Sequence, residues 1–241
     1  MKNTGYANVD PAEVGKFNEL ASRWWDPAGE FKPLHQMNPL RLQYIDARAP
    51  LSGKRCLDVG CGGGILTEGM AEHGAASVTG IDLAEAALAV ARLHLNESGW
   101  RDISYIETSA DMLVTEQRES FDIVTCMEVL EHVPEPRLLI DACAGLVRPG
   151  GDVFFSTLNR NAKSFALAIV GAEYVLRLLP MGTHEYAKFI RPGELDRWAR
   201  QAGLVLHDIT GLRYSPFSQA FSLTSDIDVN YLAHFTRPAP V

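Results

Sequence analysis

The sequence predicts a single α/β domain, residues 1–241, built on a mostly parallel sheet with helices on both faces. Three observations predict it. From Arg55 onward, short apolar runs alternate with longer amphipathic ones; a glycine-rich turn joins the first run to the second; and nothing that reads as a flexible linker divides the chain. Hydrophobic residues make up 46% and charged residues 22%, a globular composition that excludes a disordered or coiled-coil chain. With 30 acidic residues against 22 basic ones the net charge is -8, and that surface repels phosphate backbones, so nucleic acid is not an expected partner.

Residues 1–50 read as an N-terminal helical cap: PAEVGKFNELASRWW follows Asp10, a good N-cap, and opens with Pro11 at the first helical position. Residues 51–160 read as the core. RCLDVG, SVTGID, ISYIET, FDIVTC and DVFFST have strand character, while ILTEGMAEHG, AEAALAVARLHLNESG and EPRLLIDACAGLV have helical character. A helical insertion over 161–200 contains SFALAIVGAEYVLRLLP and MGTHEYAKFIRPGELDRWARQAG, and LVLHDITGL and DVNYLAHF over 201–241 supply two closing strands. Cys56, Cys61, Cys126 and Cys143 form no CxxC pair, and three of them lie in apolar runs suited to buried reduced thiols. The first residues have no apolar signal-like core, and no apolar stretch reaches the ~20 residues that a spanning helix needs, so a cytoplasmic protein is expected.

The chemistry starts at LDVGCGGGIL. Gly60, Gly62, Gly63 and Gly64 lie between a strand and a helix, where the backbone turns sharply and can approach a ligand without side-chain obstruction. Asp82 ends the next strand and can accept hydrogen bonds from ribose hydroxyls, so loop and acid describe a nucleoside site. Counting from Gly60, the sixth position is Ile65 and the dinucleotide fingerprint fails, which weakens NAD as a ligand. Asp58, two residues before the loop, would repel a pyrophosphate and favour an ammonium or sulfonium.

LDVGCGGG, the strand-end Asp82, FDIVTCMEVLEHV and LVRPGGDVFFST resemble, in order and spacing, the motifs of class I S-adenosylmethionine-dependent methyltransferases. A closer resemblance covers nearly the whole chain. NVDPAEVGKFNELASRWWDPAGEFKPLHQMNPLRLQYI, TCMEVLEHVPEP, FFSTLNRNAKSF, VGAEYVLRLLPMGTHEYAKFIRPGEL and ITGLRYSP are similar to the bacterial ubiquinone-biosynthesis O-methyltransferase family. The resemblance implies a Rossmann-like, seven-stranded sheet, S-adenosylmethionine as methyl donor and a polyprenylated phenol or quinol as acceptor. It implies donor contacts at Arg41, Gly60, Asp82 and Met127, with Asp111 near the adenine amino group, beside Asp58 and Gly62 as read from the residues of the loop and its flank. A guanidinium at Arg41 could pair bidentately with the donor's carboxylate.

On the acceptor side, Glu128, Glu131 and His132 are spaced by three and four, so one helical turn would bring them to one face. Three readings stay open: the triplet, at which eukaryotic relatives look similar, holds Mg²⁺ or a similar ion against catechol-like oxygens; His132 alone is a general base tuned by the acids; or the segment is a polar turn. Trp24, Trp25, Phe31 and Tyr214 are candidates either for an acceptor pocket or for the core.

Between Ser164 and Pro180 the only charges are Glu173 and Arg177, while Phe165, Ile169, Leu176 and Leu179 would share a helix face. A helix of that length spans ~22 Å at 1.5 Å per residue, enough to lie in a membrane interface and too short to cross it. Arg160, Lys163, Arg177, Lys188 and Arg191 flank it with positive charge that would attract anionic lipid, giving an expected peripheral place on the inner membrane beside other enzymes of the pathway. Competing readings are a methyltransferase for another small phenol, a non-catalytic donor-binding subunit of a lipid-associated complex and, if NAD bound despite Ile65, a dehydrogenase.

Overall fold

A computed structural model describes residues 8–161, 164 and 186–240. Among these, one eight-stranded sheet has the order β3-β2-β1-β4-β5-β8-β6-β7. β1 (Arg55–Val59), β2 (Ser77–Asp82), β3 (Ile103–Glu107), β4 (Phe121–Met127) and β5 (Val147–Leu158) are mutually parallel. β8 (Asn230–Thr236) slots antiparallel between β5 and β6 (Val205–Ser215), and β7 (Ala220–Thr224) closes the edge against β6. The expected seven strands are thus eight. AFSLT was overlooked because an edge strand needs no buried face, and none of its five residues is buried.

Seven α-helices cover the sheet among the described residues: α1 (Pro11–Leu20), α2 (Lys32–Asp46), α3 (Ile65–Glu72), α4 (Glu85–Ser98), α5 (Ala110–Glu116), α6 (Pro136–Leu146) and α7 (Pro192–Gln201). α1 begins where the capping signal places it, with the Asp10 side chain accepting from the Ala12 N–H. α5 lacked such a reading, although Ser109 caps it by accepting from the Met112 N–H. Strand alternation divides the interior into two layers. Phe155 packs with Ile140, Val153 and Phe235 on one face, and Phe154 with Tyr44, Ile45 and Met70 on the other.

In a sheet of this order the loops after β1, β4 and β5 emerge on one edge, beside the crossover between β1 and β4 where ligands collect. The insertion also leaves from that edge. Apart from Ser164, which is buried, residues 164–180 lie outside the described residues, as do Lys163 and Arg177. No described helix is long and apolar enough to cross a membrane. All four cysteines are buried and free, and burial pushes the Cys56 thiol up to about 12.

Candidate active site

The turn after β1 is shaped by backbone that only glycine adopts easily. Gly60, Gly62 and Gly64 have φ of 72°, 51° and 89°. A Cβ on Gly60 would fall 2.3 Å from Val129, and one on Gly62 would fall 2.0 Å from the ring of Trp24. The turn is fastened to its neighbour strand: the Gly60 and Cys61 N–H groups donate to the Ile81 carbonyl, and the Gly62 N–H donates to Asp82 Oδ2 at 2.8 Å. Asp82 Oδ1 accepts from the Ala84 N–H, and burial raises the Asp82 carboxyl despite these bonds.

Asp58 lies underneath, buried, its two oxygens accepting from the hydroxyls of Thr67 and Thr125 at 2.7 and 2.8 Å. Burial pushes its carboxyl up to about 6 against those hydroxyls and the nearby Arg41 guanidinium. Arg41, buried on α2, pairs with Glu128, and its Nε has no partner; the Oδ1 of Asn38, one turn earlier, also has none. Unpaired polar atoms so close to the loop are costly without a ligand. A glycine cradle, a strand-end acid and a buried cation together fit a nucleoside donor that also carries a carboxylate.

The N-terminal cap closes this side. Trp24 lies over Gly62 and Gly63 and stacks on Phe31 at 4.1 Å, while Trp25 donates its indole N–H to the Gly63 carbonyl and stacks on His94 at 3.4 Å. Of the aromatic candidates, only these three meet the loop region; Tyr214 pairs with Phe221 on the β6–β7 hairpin. Met127 is buried at the end of β4 beside the loop strand. Asp111 faces elsewhere, into a groove between α5 and α6 with Val114, Arg118, Leu138 and Asp141.

The expected one-face triplet does not form. Glu128 sits at φ 52°, a left-handed conformation, and only a short 3-10 turn, Leu130–His132, follows it. Its carboxylate takes Arg41 and the Ser156 hydroxyl. Glu131 is buried and accepts from the Thr157 hydroxyl at 2.8 Å. Because Ser156 and Thr157 are consecutive on β5, their side chains leave on opposite faces, and the two acids are drawn apart. His132 turns to a third partner, Glu13 of α1, with Nδ1 2.9 Å from Oε2. Among the described residues no group of three such side chains could hold a metal, so the residues present do not fit Mg²⁺. Sequence reading also missed Glu13, whose only signal was an acid four residues before Phe17 on a cap helix.

The basic flanks of the insertion are partly spent on acids. Arg160 pairs with Glu194, and Lys188 lies 3.5 Å from Asp10 and 3.8 Å from Glu13.

A family model described as a methyltransferase domain matches residues 34–209. With the 3-2-1-4-5 parallel half and its glycine turn, this places the chain among the class I, S-adenosylmethionine-dependent methyltransferases. Curated relatives refine the class. A ubiquinone biosynthesis O-methyltransferase of Thiobacillus denitrificans is 61% identical over 97% of this chain and all of its own length, and that of Aromatoleum aromaticum is 61% identical over 94% of this chain and 96% of its own. The chain belongs to the ubiquinone biosynthesis O-methyltransferase family. The same fold occurs in a solved magnesium protoporphyrin IX methyltransferase from Synechocystis PCC 6803, at a TM-score of 0.64 and 17% identity, covering 96% of this chain and 100% of that one.

Proposed function

We propose that the chain transfers the methyl group of S-adenosylmethionine to phenolic hydroxyls of polyprenylated ubiquinone precursors, at both O-methylation steps of that pathway. The observation that carries the reading is the Gly60–Gly64 turn pinned to Asp82 through the Gly62 N–H. When bound there, the donor supplies an electrophilic methyl on a sulfonium. Gly60 and Gly62 line the backbone approach, Asp82 meets the ribose, Met127 flanks the adenosyl group, and Arg41 takes the donor's carboxylate in place of Glu128. Asp58 contributes negative potential behind the loop.

On the acceptor side, His132 removes the hydroxyl proton as the oxygen attacks, because a phenol near pKa ~10 is mostly protonated at neutral pH. Glu131 adds buried negative charge beside it, a cause of the raised His132 imidazole. Glu128 anchors Arg41 until the donor carboxylate arrives. The apolar segment between Ser164 and Pro180, which apart from Ser164 lies outside the described residues, docks on anionic lipid where the prenylated ring emerges.

Purified protein given radiolabelled S-adenosylmethionine should label a prenylated catechol at least ~10-fold faster than its unprenylated counterpart. Equal rates would move the reading to a small soluble phenol, and no labelling of either with intact donor binding would make the chain a donor-binding subunit.

A further inference from the structure

We propose that Glu13, on the N-terminal cap helix, is the positioning residue for His132 and, through it, for removal of the acceptor's hydroxyl proton. The inference rests on His132 being the base. Glu13 is 119 residues from His132 in sequence, yet its buried carboxylate accepts from Nδ1 at 2.9 Å, while Oε1 accepts from Lys16 Nζ at 2.9 Å. Phe17, one turn further along α1, packs its ring edge to face against the imidazole, with centroids 5.3 Å apart. One face of the cap helix therefore grips one side chain on the turn after β4.

An apolar pair would anchor a cap helix without the desolvation cost of a buried carboxylate. What the carboxylate adds is orientation and charge. Glu13 is held at about 2, chiefly by the His132 hydrogen bond, so it is ionised and can only accept; Nδ1 must carry the proton. In the neutral imidazole the basic lone pair is then that of Nε2, the arrangement in which a carboxylate fixes a catalytic imidazole's tautomer. Burial works to lower the His132 pKa, but the Glu13 bond and the charges of Glu131 and Glu13 outweigh it, and Lys16 opposes them only in part.

In the step this serves, the hydroxyl proton passes to Nε2 and the oxygen's electron pair forms the new C–O bond. The C–S pair stays on sulfur as the thioether of S-adenosylhomocysteine. The imidazolium is stabilised by Glu13 and later releases its proton to water. Since the carboxylate belongs to the cap, the base is complete only when α1 is seated over the site.

Glu13→Gln, Glu13→Asp and His132→Ala should be compared on a prenylated catechol and on its nitro-substituted analogue, whose hydroxyl is already ionised at the assay pH. Glu13→Gln should lower kcat on the catechol ~30-fold or more, within the range of general-base contributions, with the donor KM and calorimetric affinity for S-adenosylhomocysteine within twofold of wild type. On the nitro analogue the loss should shrink below ~3-fold, and Glu13→Asp should recover part of the catechol rate. Equal losses on both acceptors would mean that Glu13 only holds the helix. Unchanged kcat in Glu13→Gln beside a catechol-selective defect in His132→Ala would overturn the positioning role alone. A His132→Ala enzyme without that selectivity would overturn the base reading and the inference with it.

Discussion

The two halves of the site are built differently. The proposed donor half is built on backbone: a glycine turn at the end of β1, bonded to the strand beside it, with the turn and its two aspartates within 25 residues in sequence, from Asp58 to Asp82. The proposed acceptor half is side chains, and the partners of its acid and base come from far away: Arg41, from the donor side, reaches Glu128 across 87 residues and Glu13 reaches His132 across 119. The comparison teaches that a cradle made of main chain survives as a local motif, whereas charge pairs exist only once distant helices have docked.

The largest effect that sharpens this contrast is expected at Gly62. Adding a Cβ at φ 51°, 2.0 Å from Trp24, should weaken S-adenosylhomocysteine binding in Gly62→Ala by ~100-fold or more, read by calorimetry, and cost on the order of 2 kcal/mol of stability. Gly99, at φ 77° with nothing within 4 Å, is the control: Gly99→Ala should cost ~1 kcal/mol and leave binding unchanged. Equal binding losses would break the comparison.

Next comes the pair that joins the halves. Arg41→Leu should weaken the same titration ~30-fold and lower stability by ~3 kcal/mol, because Glu128 is left without its cation. Glu128→Gln removes only the competing carboxylate and should bind at least as tightly as wild type. Wild-type affinity in Arg41→Leu would take Arg41 out of the donor half.

The smallest effect is electrostatic. A carboxyl raised from 3.8 to about 6 by folding favours the native state most below its unfolded pKa, and that advantage is lost as pH climbs through about 6. Asp58→Asn should therefore be near neutral in stability at pH 4 and stabilising by ~1 to 2 kcal/mol at pH 8, measured by denaturant unfolding. A destabilised variant at pH 8 would mean that the Thr67 and Thr125 hydrogen bonds outweigh burial.

Much of this was legible beforehand. Alternating apolar periods located β1 to β5, the Asp10–Pro11 signal located α1, and the glycines and Asp82 located the turn after β1 and the end of β2. The triplet was misjudged for a definite reason. Spacings of three and four share a face only on a helix, and the left-handed Glu128 and the short turn after it break that premise. β7 was missed because at the sheet edge its only half-buried apolar residues are Phe221 and Leu223, an alternation too short to read over five residues.

What the sequence by itself determined is therefore the parallel half of the sheet and the turn that ends β1, since hydrophobic period and glycine's freedom at positive φ act between near neighbours. Only the tertiary structure decided which partner each acid meets: that Glu128 faces Arg41, that Glu131 accepts from Thr157 and that Glu13 holds His132. Those pairings depend on how α1 and α2 settle on the sheet edge, and Coulomb and hydrogen-bond partners are chosen by proximity in space, which no residue spacing encodes.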